Sequence, residues 1–199
     1  PRELGIDNDG KEVRQALAPG RTLEGRVTYA DTGKPAPGVR LLVYAGRSPG
    51  PFKAQPARTD GRGRYRATIP SGDHAWVEAR PVGGPYLAVK KEKNWPRGTV
   101  RQTIDVALPR GVLVRGSVTE AGSGKPVAGA TVSYVPRAVR NPNLREDLLA
   151  GPENVAVSAA DGTFRSVVLP GPGHLLVQGP GQDYICLLYT SPSPRDRQK

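Results

Sequence analysis

Apolar and polar residues alternate along many short stretches of the chain, and this alternation predicts β-strands rather than helices. Residues 22–29 and 112–119 show it most clearly, and each stretch ends at a turn rich in Asp, Gly, Lys and Pro. Every second side chain of such a strand faces a core. The other predicted strands are residues 39–44, 64–69, 74–79, 86–90, 100–108, 131–135, 163–169 and 174–178.

The same order of motifs occurs twice, so the chain contains an internal repeat. The offset between the two copies is 91 positions at first and rises to 100, because the second copy has gained residues within 136–154. The matched segments are 20–28 with 111–119, 33–39 with 124–130, 60–65 with 159–164, and 69–74 with 169–174. Short strands without a helical pattern predict an all-β fold with two tandem antiparallel β-sandwiches.

The repeat predicts four regions. Residues 13–17 resemble residues 104–108, the last predicted strand of the first copy, so residues 1–18 are interpreted as the remnant last strand of an upstream unit. Residues 19–109 are the first predicted sandwich and residues 110–185 the second. An orphan strand buries little apolar surface alone, so we expect residues 1–18 to be poorly ordered or to lie across a neighbour's edge.

The last region, residues 186–199, matches nothing in the first copy. It resembles a translated sequencing adapter, and we expect it to be a non-native tail that leaves the second sandwich truncated at residue 185. The alternative is a native tail. Cys186, the single cysteine, belongs to this region and has no His–Asn or His–Asp setting, so it is not a credible nucleophile.

Composition agrees with this organisation. The 199 residues include 25 Gly and 21 Pro, which suits many turns, and no Met, which indicates a processed chain or a fragment. The net charge of +11 would attract anionic partners such as nucleic acid, acidic polysaccharide or lipid headgroups. The basic residues are spread along the chain, so an incidental basic surface is the alternative. No apolar run is long enough to span a membrane.

The repeated motifs resemble the carboxypeptidase regulatory-like domain. This resemblance implies a transthyretin-like, immunoglobulin-like β-sandwich in each copy, a carbohydrate-binding-like fold whose members are non-catalytic modules of peptidases, outer-membrane receptors and surface proteins. It covers about residues 20–185. The residues that carry it are Gly25, Val27, 33–39, 63–65 and 69–72 in the first copy, and Gly116, Val118, 124–132, 161–164 and 169–173 in the second.

The sequence offers no constellation for catalysis, and we expect no catalytic residue, metal site or cofactor. His74 and His174 are the two histidines and begin equivalent predicted strands, so they should lie far apart, each a strand-entry residue. Phosphate loops, paired zinc motifs and EF-hand spacings are absent. The chain is therefore not expected to be an enzyme.

Candidate ligand-binding residues fall in two groups. Arg62, Arg64 and Arg66 alternate along one predicted strand and would point to one face, able to hold a carboxylate or sulfate polymer. The alternative is a solvated sheet face. Lys91, with two neighbouring lysines, and Trp95 would share one loop suited to sugar stacking or anion contact. The alternative is a basic loop with Trp95 tucked over the sheet edge.

The insertion at 136–154 has two interpretations. It could form one or two helical turns with Leu144 and Leu148 on a shared face, or it could be a loop that caps the end of the sandwich.

These observations favour a fragment of a larger extracytoplasmic bacterial protein, located in the cell envelope or secreted. Its tandem modules would act as spacers or as protein-interaction units for other domains of the parent protein or for a protein partner. The alternative is a carbohydrate-binding module that uses Trp76, Tyr86 and Trp95 to bind a glycan. No specific nucleic-acid partner is expected.

Overall fold

The computed structural model describes residues 19–46, 53–70, 72–149, 155–181 and 187–190, and within these residues it is all-β, with fourteen strands and no helix. The predicted fold class is confirmed. The predicted remnant strand at 13–17 and Cys186 lie outside the described residues.

The first copy forms two sheets. In the β1 sheet the strand order is β4-β1-β7, with β8 also beside β1, and in the β2 sheet it is β3-β2-β5-β6. The strands are β1 (Arg21–Tyr29), β2 (Arg40–Gly46), β3 (Lys53–Arg58), β4 (Arg64–Ile69), β5 (His74–Arg80), β6 (Val89–Asn94), β7 (Arg101–Thr103) and β8 (Val106–Leu108).

Alternating side chains of these two sheets form one core. Along β4 every second residue is buried, and β2 and β5 alternate in the same way. Burial of this apolar area is the main favourable contribution to folding. The fully buried side chains of the core include Leu23, Val27, Leu41, Val43, Ile69, Val77, Val106 and Leu108.

In the first copy the structure differs from the sequence-based prediction at three strands. Residues 100–108 form two short strands, and both pair with β1 in parallel, so this sandwich is not purely antiparallel. The break between the two strands lies at Ile104 and Asp105. The Ile104 N–H donates to the Glu24 carbonyl of β1, and the Asp105 carboxylate accepts the Arg26 N–H of β1. The strand predicted at 86–90 is displaced to 89–94. β3 was not predicted because Pro56 interrupts it, and it lies at a sheet edge, where proline is tolerated.

The second copy forms a less complete pair of sheets. The β9 sheet contains β12 and β9, and the β10 sheet has the order β11-β10-β13-β14. None of the four sheets combines strands from both sides of residues 109–111. The strands are β9 (Val112–Ser117), β10 (Thr131–Pro136), β11 (Val155–Val157), β12 (Thr163–Val168), β13 (Gly173–Gln178) and β14 (Leu187–Thr190).

The predicted non-native tail contributes a strand. β14 pairs antiparallel with β13, as β6 pairs with β5 in the first copy. Residues 187–190, which were excluded from the predicted fold, therefore form a strand of the second copy. The reason is that β13 offers an edge and Leu-Leu-Tyr-Thr has the apolar and β-branched composition of a strand.

The repeated motifs have the same structure in both copies. Gly63 and Gly162 adopt φ of 72° and 76°, and a Cβ would lie 2.4 Å from the Val27 carbonyl oxygen or 2.5 Å from the Val118 carbonyl oxygen, respectively. Only glycine fits both requirements. A buried hydroxyl repeats as well: Thr59 Oγ1 donates to the Ala36 carbonyl, and Ser158 Oγ donates to the Val127 carbonyl, each at 2.7 Å.

Candidate functional site

The predicted arginine ladder is only partly formed. Arg64 and Arg66 are exposed on β4, with Tyr65 buried on the other face, as predicted. Arg62 lies in the preceding turn, where Gly61 and Gly63 interrupt the strand, so its inclusion in the ladder is wrong. Across the strands Arg66 lies opposite Glu24, so part of the charge on this face is neutralised.

Lys91 and Trp95 do not form an exposed binding loop. Lys91 lies in β6, and Trp95 follows this strand with 3% of its surface exposed. The indole N–H donates to the Thr99 carbonyl at 2.7 Å, and the Arg21 guanidinium lies 5.7 Å from the ring centroid. The alternative interpretation, with Trp95 tucked over the sheet, is therefore the one that the structure shows.

The aromatic residues proposed for glycan stacking are largely engaged within the chain. Tyr86 stacks on Tyr29 with ring centroids 4.1 Å apart. Trp76 stacks on Tyr44 at 5.1 Å, and Lys90 Nζ lies 4.9 Å from the Trp76 ring. A sugar ring stacks on a free aromatic face, so these contacts remove most of the support for neutral glycan stacking.

The two histidines occupy equivalent strand starts and have different neighbours. His74 lies 4.0 Å from Asp73 and 3.9 Å from Glu92, and His174 Nε2 accepts a bond from Arg137 Nε at 3.1 Å. They lie at the starts of β5 and β13, strands of different sheets. In the described part of the chain, no group of three or more His, Cys, Asp or Glu residues could hold a metal ion.

The insertion of the second copy contacts the first sandwich. It contains turns rather than the helical turns considered above, because Pro142 and two asparagines interrupt the segment. Leu148 forms an antiparallel bridge with Val89 at the outer edge of β6. The Lys90 N–H donates to the Asp147 carbonyl (2.7 Å), and the Leu149 N–H donates to the Ala88 carbonyl (3.1 Å). We call residues 144–149 the docking loop.

A charged contact stabilises the docking loop. The Asp147 carboxylate lies 3.1 Å from Lys91 Nζ and accepts two bonds from the Arg145 guanidinium, at 2.7 and 2.8 Å. The Arg145 bonds, and then that of Lys91, hold the pKa of Asp147 below its ordinary value. Lys91 therefore belongs to an interface within the chain rather than to a ligand site.

A second set of contacts joins the copies at the connection itself. The Leu87 N–H donates to the Pro109 carbonyl (2.9 Å), and the Gly111 N–H donates to the Pro85 carbonyl (2.6 Å). Arg110 Nη1 lies 3.2 Å from the Asp31 carboxylate, which also accepts a bond from the Tyr86 hydroxyl. The connection is thus bonded to the first sandwich along its length.

An apolar cavity of about 240 Å³ lies between the docking loop, the first copy and the second. Its wall is formed mostly by aliphatic side chains, with the Tyr134 hydroxyl bonded to the Gly171 carbonyl. The residues lining it include Leu87, Ala88, Leu144, Leu148, Val167 and Leu169. Leu148 also packs against the core of the first sandwich.

Sequence reasoning missed this junction because long-range pairing of a loop with a strand edge leaves no local periodicity. Two signals were available: Leu148 and Leu149 form an apolar pair directly after three charged residues, and Lys91 and Asp147 carry opposite charges. No helix in the described residues is long and apolar enough to cross a membrane.

No family model matches the sequence, and no curated protein is similar to it. Several solved structures align with it. A streptococcal ancillary pilin is 14% identical, with 90% of this chain and 60% of that chain covered and a TM-score of 0.39. The shaft pilin SpaA from Lactobacillus rhamnosus GG is 10% identical, with 86% and 93% covered and a TM-score of 0.35. (S)-Allantoin synthase is 13% identical, with 46% and 41% covered and a TM-score of 0.36.

The chain spans less than two thirds of the ancillary pilin. The TM-scores of these three structures lie below 0.5, so the likenesses define neither the fold nor the function of this chain.

Proposed function

We propose that the chain is a semi-rigid, non-catalytic spacer unit of a larger extracytoplasmic protein, built from two carboxypeptidase regulatory-like modules. The observation that carries this proposal is the pairing of the docking loop with the edge of β6. A spacer transmits distance only if its modules keep a fixed orientation, and two flexibly linked modules would not do so.

Two features of the junction support stiffness. β8 ends at Leu108 and β9 begins at Val112, so the connection is too short to act as a flexible linker. The docking loop adds a contact on the far side of this connection, with backbone hydrogen bonds, an apolar side chain and an ion pair. Two separated contacts resist rotation better than a single hinge.

Covering β6 also has a protective effect. β6 is the outer strand of the β2 sheet, and an exposed edge strand offers unpaired N–H and C=O groups to other chains. The docking loop occupies part of this edge. A spacer with a covered edge would resist unwanted strand pairing along the array.

Distance measurement between the modules tests the proposal. Spin labels at Lys34→Cys and Lys125→Cys, in a Cys186→Ser background, would occupy equivalent exposed turns of the two copies. Pulsed electron paramagnetic resonance should give one narrow distance distribution. Leu148→Ala should broaden it, because the apolar anchor of the docking loop is lost.

Val139→Ala is the matched control, because Val139 belongs to the same insertion and is 99% exposed. It should leave the distribution unchanged. A broad distribution in the parent protein, or equal broadening by both substitutions, would contradict the spacer proposal.

A further inference from the structure

Three arginines lie side by side across three strands of the β2 sheet. Arg40 on β2 is directly opposite Arg58 on β3 and directly opposite Arg80 on β5. Leu41 and Ala79, the next residues along two of these strands, are buried in the core, so the arginine positions face outward. We call Arg58, Arg40 and Arg80 the arginine row.

Two of the three arginines of the row have no carboxylate partner among the described residues. Glu78 binds Arg80, with Nη2 and Oε2 2.6 Å apart. Within the described residues no carboxylate forms an ion pair with Arg40 or Arg58. Like charges directly opposite each other destabilise a sheet. The guanidinium groups of Arg40 and Arg58 are therefore available to an external anion, which would also relieve their mutual repulsion.

An apolar floor lies beside the arginine row. Leu42 and Pro56 are opposite each other, two residues from Arg40 and Arg58 on the same face. Together with Arg40, Arg58 and Arg80 they line an open depression of about 530 Å³. Guanidinium groups around an aliphatic floor fit a ligand that has both an anionic group and an apolar face.

The basic surface continues across the junction. Arg40 and Arg80 also line a cleft of about 280 Å³ with Arg165 of the second copy. Arg165 is exposed on β12 and lies directly opposite Arg115 on β9. The basic surface therefore extends from the edge of the first sandwich to the second copy and suits an extended ligand. Its arginines are, in order, Arg58, Arg40, Arg80, Arg165 and Arg115.

We propose that the arginine row and Arg165 form a binding track for an acidic polysaccharide of the uronic-acid type. Such a polymer carries a carboxylate on each sugar ring, and each pyranose ring has an apolar C–H face. The carboxylates bind the guanidinium groups of Arg40, Arg58 and Arg165, and a ring lies on Leu42 and Pro56. Guanidinium is the cation that best matches a carboxylate geometrically.

Two other polyanions fit less well. Single-stranded nucleic acid is held by bases that stack on aromatic faces, but Trp76 lies between Tyr44 and Lys90, and Trp95 is buried. An extended acidic peptide presents same-side carboxylates about 6.7 Å apart, whereas neighbouring strands, and thus the arginines of the row, are spaced at about 4.8 Å. Neither ligand uses the apolar floor beside a regular line of charge.

The chain provides a matched control on its other face. Arg64 and Arg66 are equally exposed, but Glu24 lies opposite Arg66 and forms an ion pair with Arg101 at 3.7 Å. Asp60 accepts the backbone N–H of Arg64. Arg64→Gln/Arg66→Gln removes the same charge as Arg40→Gln/Arg58→Gln without touching the track.

Isothermal titration of the full chain with an oligogalacturonate of about ten sugars tests the proposal. Arg40→Gln/Arg58→Gln should weaken binding by about tenfold or more, whereas Arg64→Gln/Arg66→Gln should change it less than about twofold. The fully methyl-esterified oligomer, which keeps the rings and loses the charge, should not bind measurably. Arg165→Gln should weaken binding of the decamer and leave that of a trimer unchanged.

Circular dichroism melts establish that each variant is folded, and every substituted residue is exposed. Equal losses in the two double variants would overturn the proposal in favour of a non-specific basic surface. Binding of oligothymidylate or poly-glutamate at equal strength and with the same sensitivity to Arg40→Gln/Arg58→Gln would assign the track to nucleic acid or acidic protein instead. No binding of the oligogalacturonate would also overturn it. The Arg40→Gln/Arg58→Gln result does not depend on the spacer proposal, because both arginines belong to the first copy. The Arg165→Gln result requires the fixed junction as well, so its loss alone would count against the spacer proposal and not against the arginine row.

Discussion

The two sandwiches contain the same motifs but bury them to different extents. Leu23 and Val27 of β1 are fully buried, whereas the equivalent residues Val114 and Val118 are only partly buried. Val112 and Leu113 are 49% and 38% exposed. The difference follows from the neighbours of the first strand: β1 has β4 on one side and β7 and β8 on the other, whereas β9 pairs with β12 alone within the described residues.

This comparison separates local from long-range determinants. The Gly-Lys-Pro turns, the positive-φ glycines at Gly33/Gly124, Gly38/Gly129 and Gly63/Gly162, and the buried hydroxyls of Thr59 and Ser158 recur in both copies because they depend on residues close to one another in space. Burial of the first strand depends on the strands that flank it. Sequence similarity between repeats therefore predicts conformation better than it predicts local stability.

The largest expected effect comes from the same substitution at the same motif position in the two copies. Val27→Ala should lower the free energy of unfolding of the first sandwich by about 2 kcal/mol, because it removes two buried methyl groups and leaves a cavity. Val118→Ala should lower this value by less than about 0.5 kcal/mol, because Val118 lies outside the core of the first sandwich.

Tryptophan fluorescence during urea unfolding measures this difference directly, because Trp76 and Trp95 both belong to the first sandwich. Equal shifts of the fluorescence transition for Val27→Ala and Val118→Ala would show that the two copies unfold as one unit, and would contradict the expected difference in stability between them.

A smaller effect, equal in the two copies, is expected at the buried hydroxyls. Thr59→Val leaves the Val39 N–H and the Ala36 carbonyl without their partner, and Ser158→Ala does the same to the Ala130 N–H and the Val127 carbonyl. Each substitution should cost about 1–2 kcal/mol locally.

Amide hydrogen exchange, monitored by nuclear magnetic resonance, checks this expectation, because the N–H groups of Val39 and Ala130 donate the affected hydrogen bonds. Both amides should exchange faster in their respective variants by similar factors. A faster exchange rate at Val39 without a faster rate at Ala130 would mean that the buried hydroxyl contributes to stability only in a sandwich whose first strand has strands on both sides.

The smallest effect is a pH dependence at the docking loop. Asp147 has a lowered pKa in the folded state, so its contribution to stability is fully present above the ordinary carboxyl pKa of about 4 and is lost as pH falls through the lowered value. Lys91 and Arg145 are 40% and 41% exposed, so the contribution should stay below about 1 kcal/mol.

The spin-label distance distribution in the parent protein should therefore stay unchanged down to about pH 4 and broaden slightly as the pH falls further. Asp147→Asn should remove this change, since the amide does not titrate in that range. A parent protein and variant with the same pH response would exclude Asp147 as the group responsible.

The sequence specifies the local part of this structure. The alternation of Arg64 to Ile69 predicts β4 with the correct inward residues. The repeated Gly-Lys-Pro turns appear as expected, with bridges from Pro35 to Thr28 and from Pro126 to Thr119. Parallel pairing of β7 and β8, the edge strand β3 and the docking loop were not predictable, because each depends on partners distant in sequence.

The candidate sites follow the same division. Arg64 and Arg66 were correctly placed on an exposed face by alternation alone. The arginine row was missed because Arg40, Arg58 and Arg80 lie far apart in sequence and meet only through strand pairing. For Trp95 the sequence left two interpretations, an exposed ligand loop or a position tucked over the sheet edge. The Thr99 carbonyl and the Arg21 side chain hold it in the second.

Hydrogen exchange of the first strand in each copy tests the central comparison most directly. Peptides covering β1, Arg21–Tyr29, and β9, Val112–Ser117, can be followed by mass spectrometry in one experiment on the parent protein. The amides of β1 should be protected along the whole strand, whereas β9 should show a slow set bonded to β12 and a fast set on its other edge. Uniform protection of β9 equal to that of β1 would contradict the account.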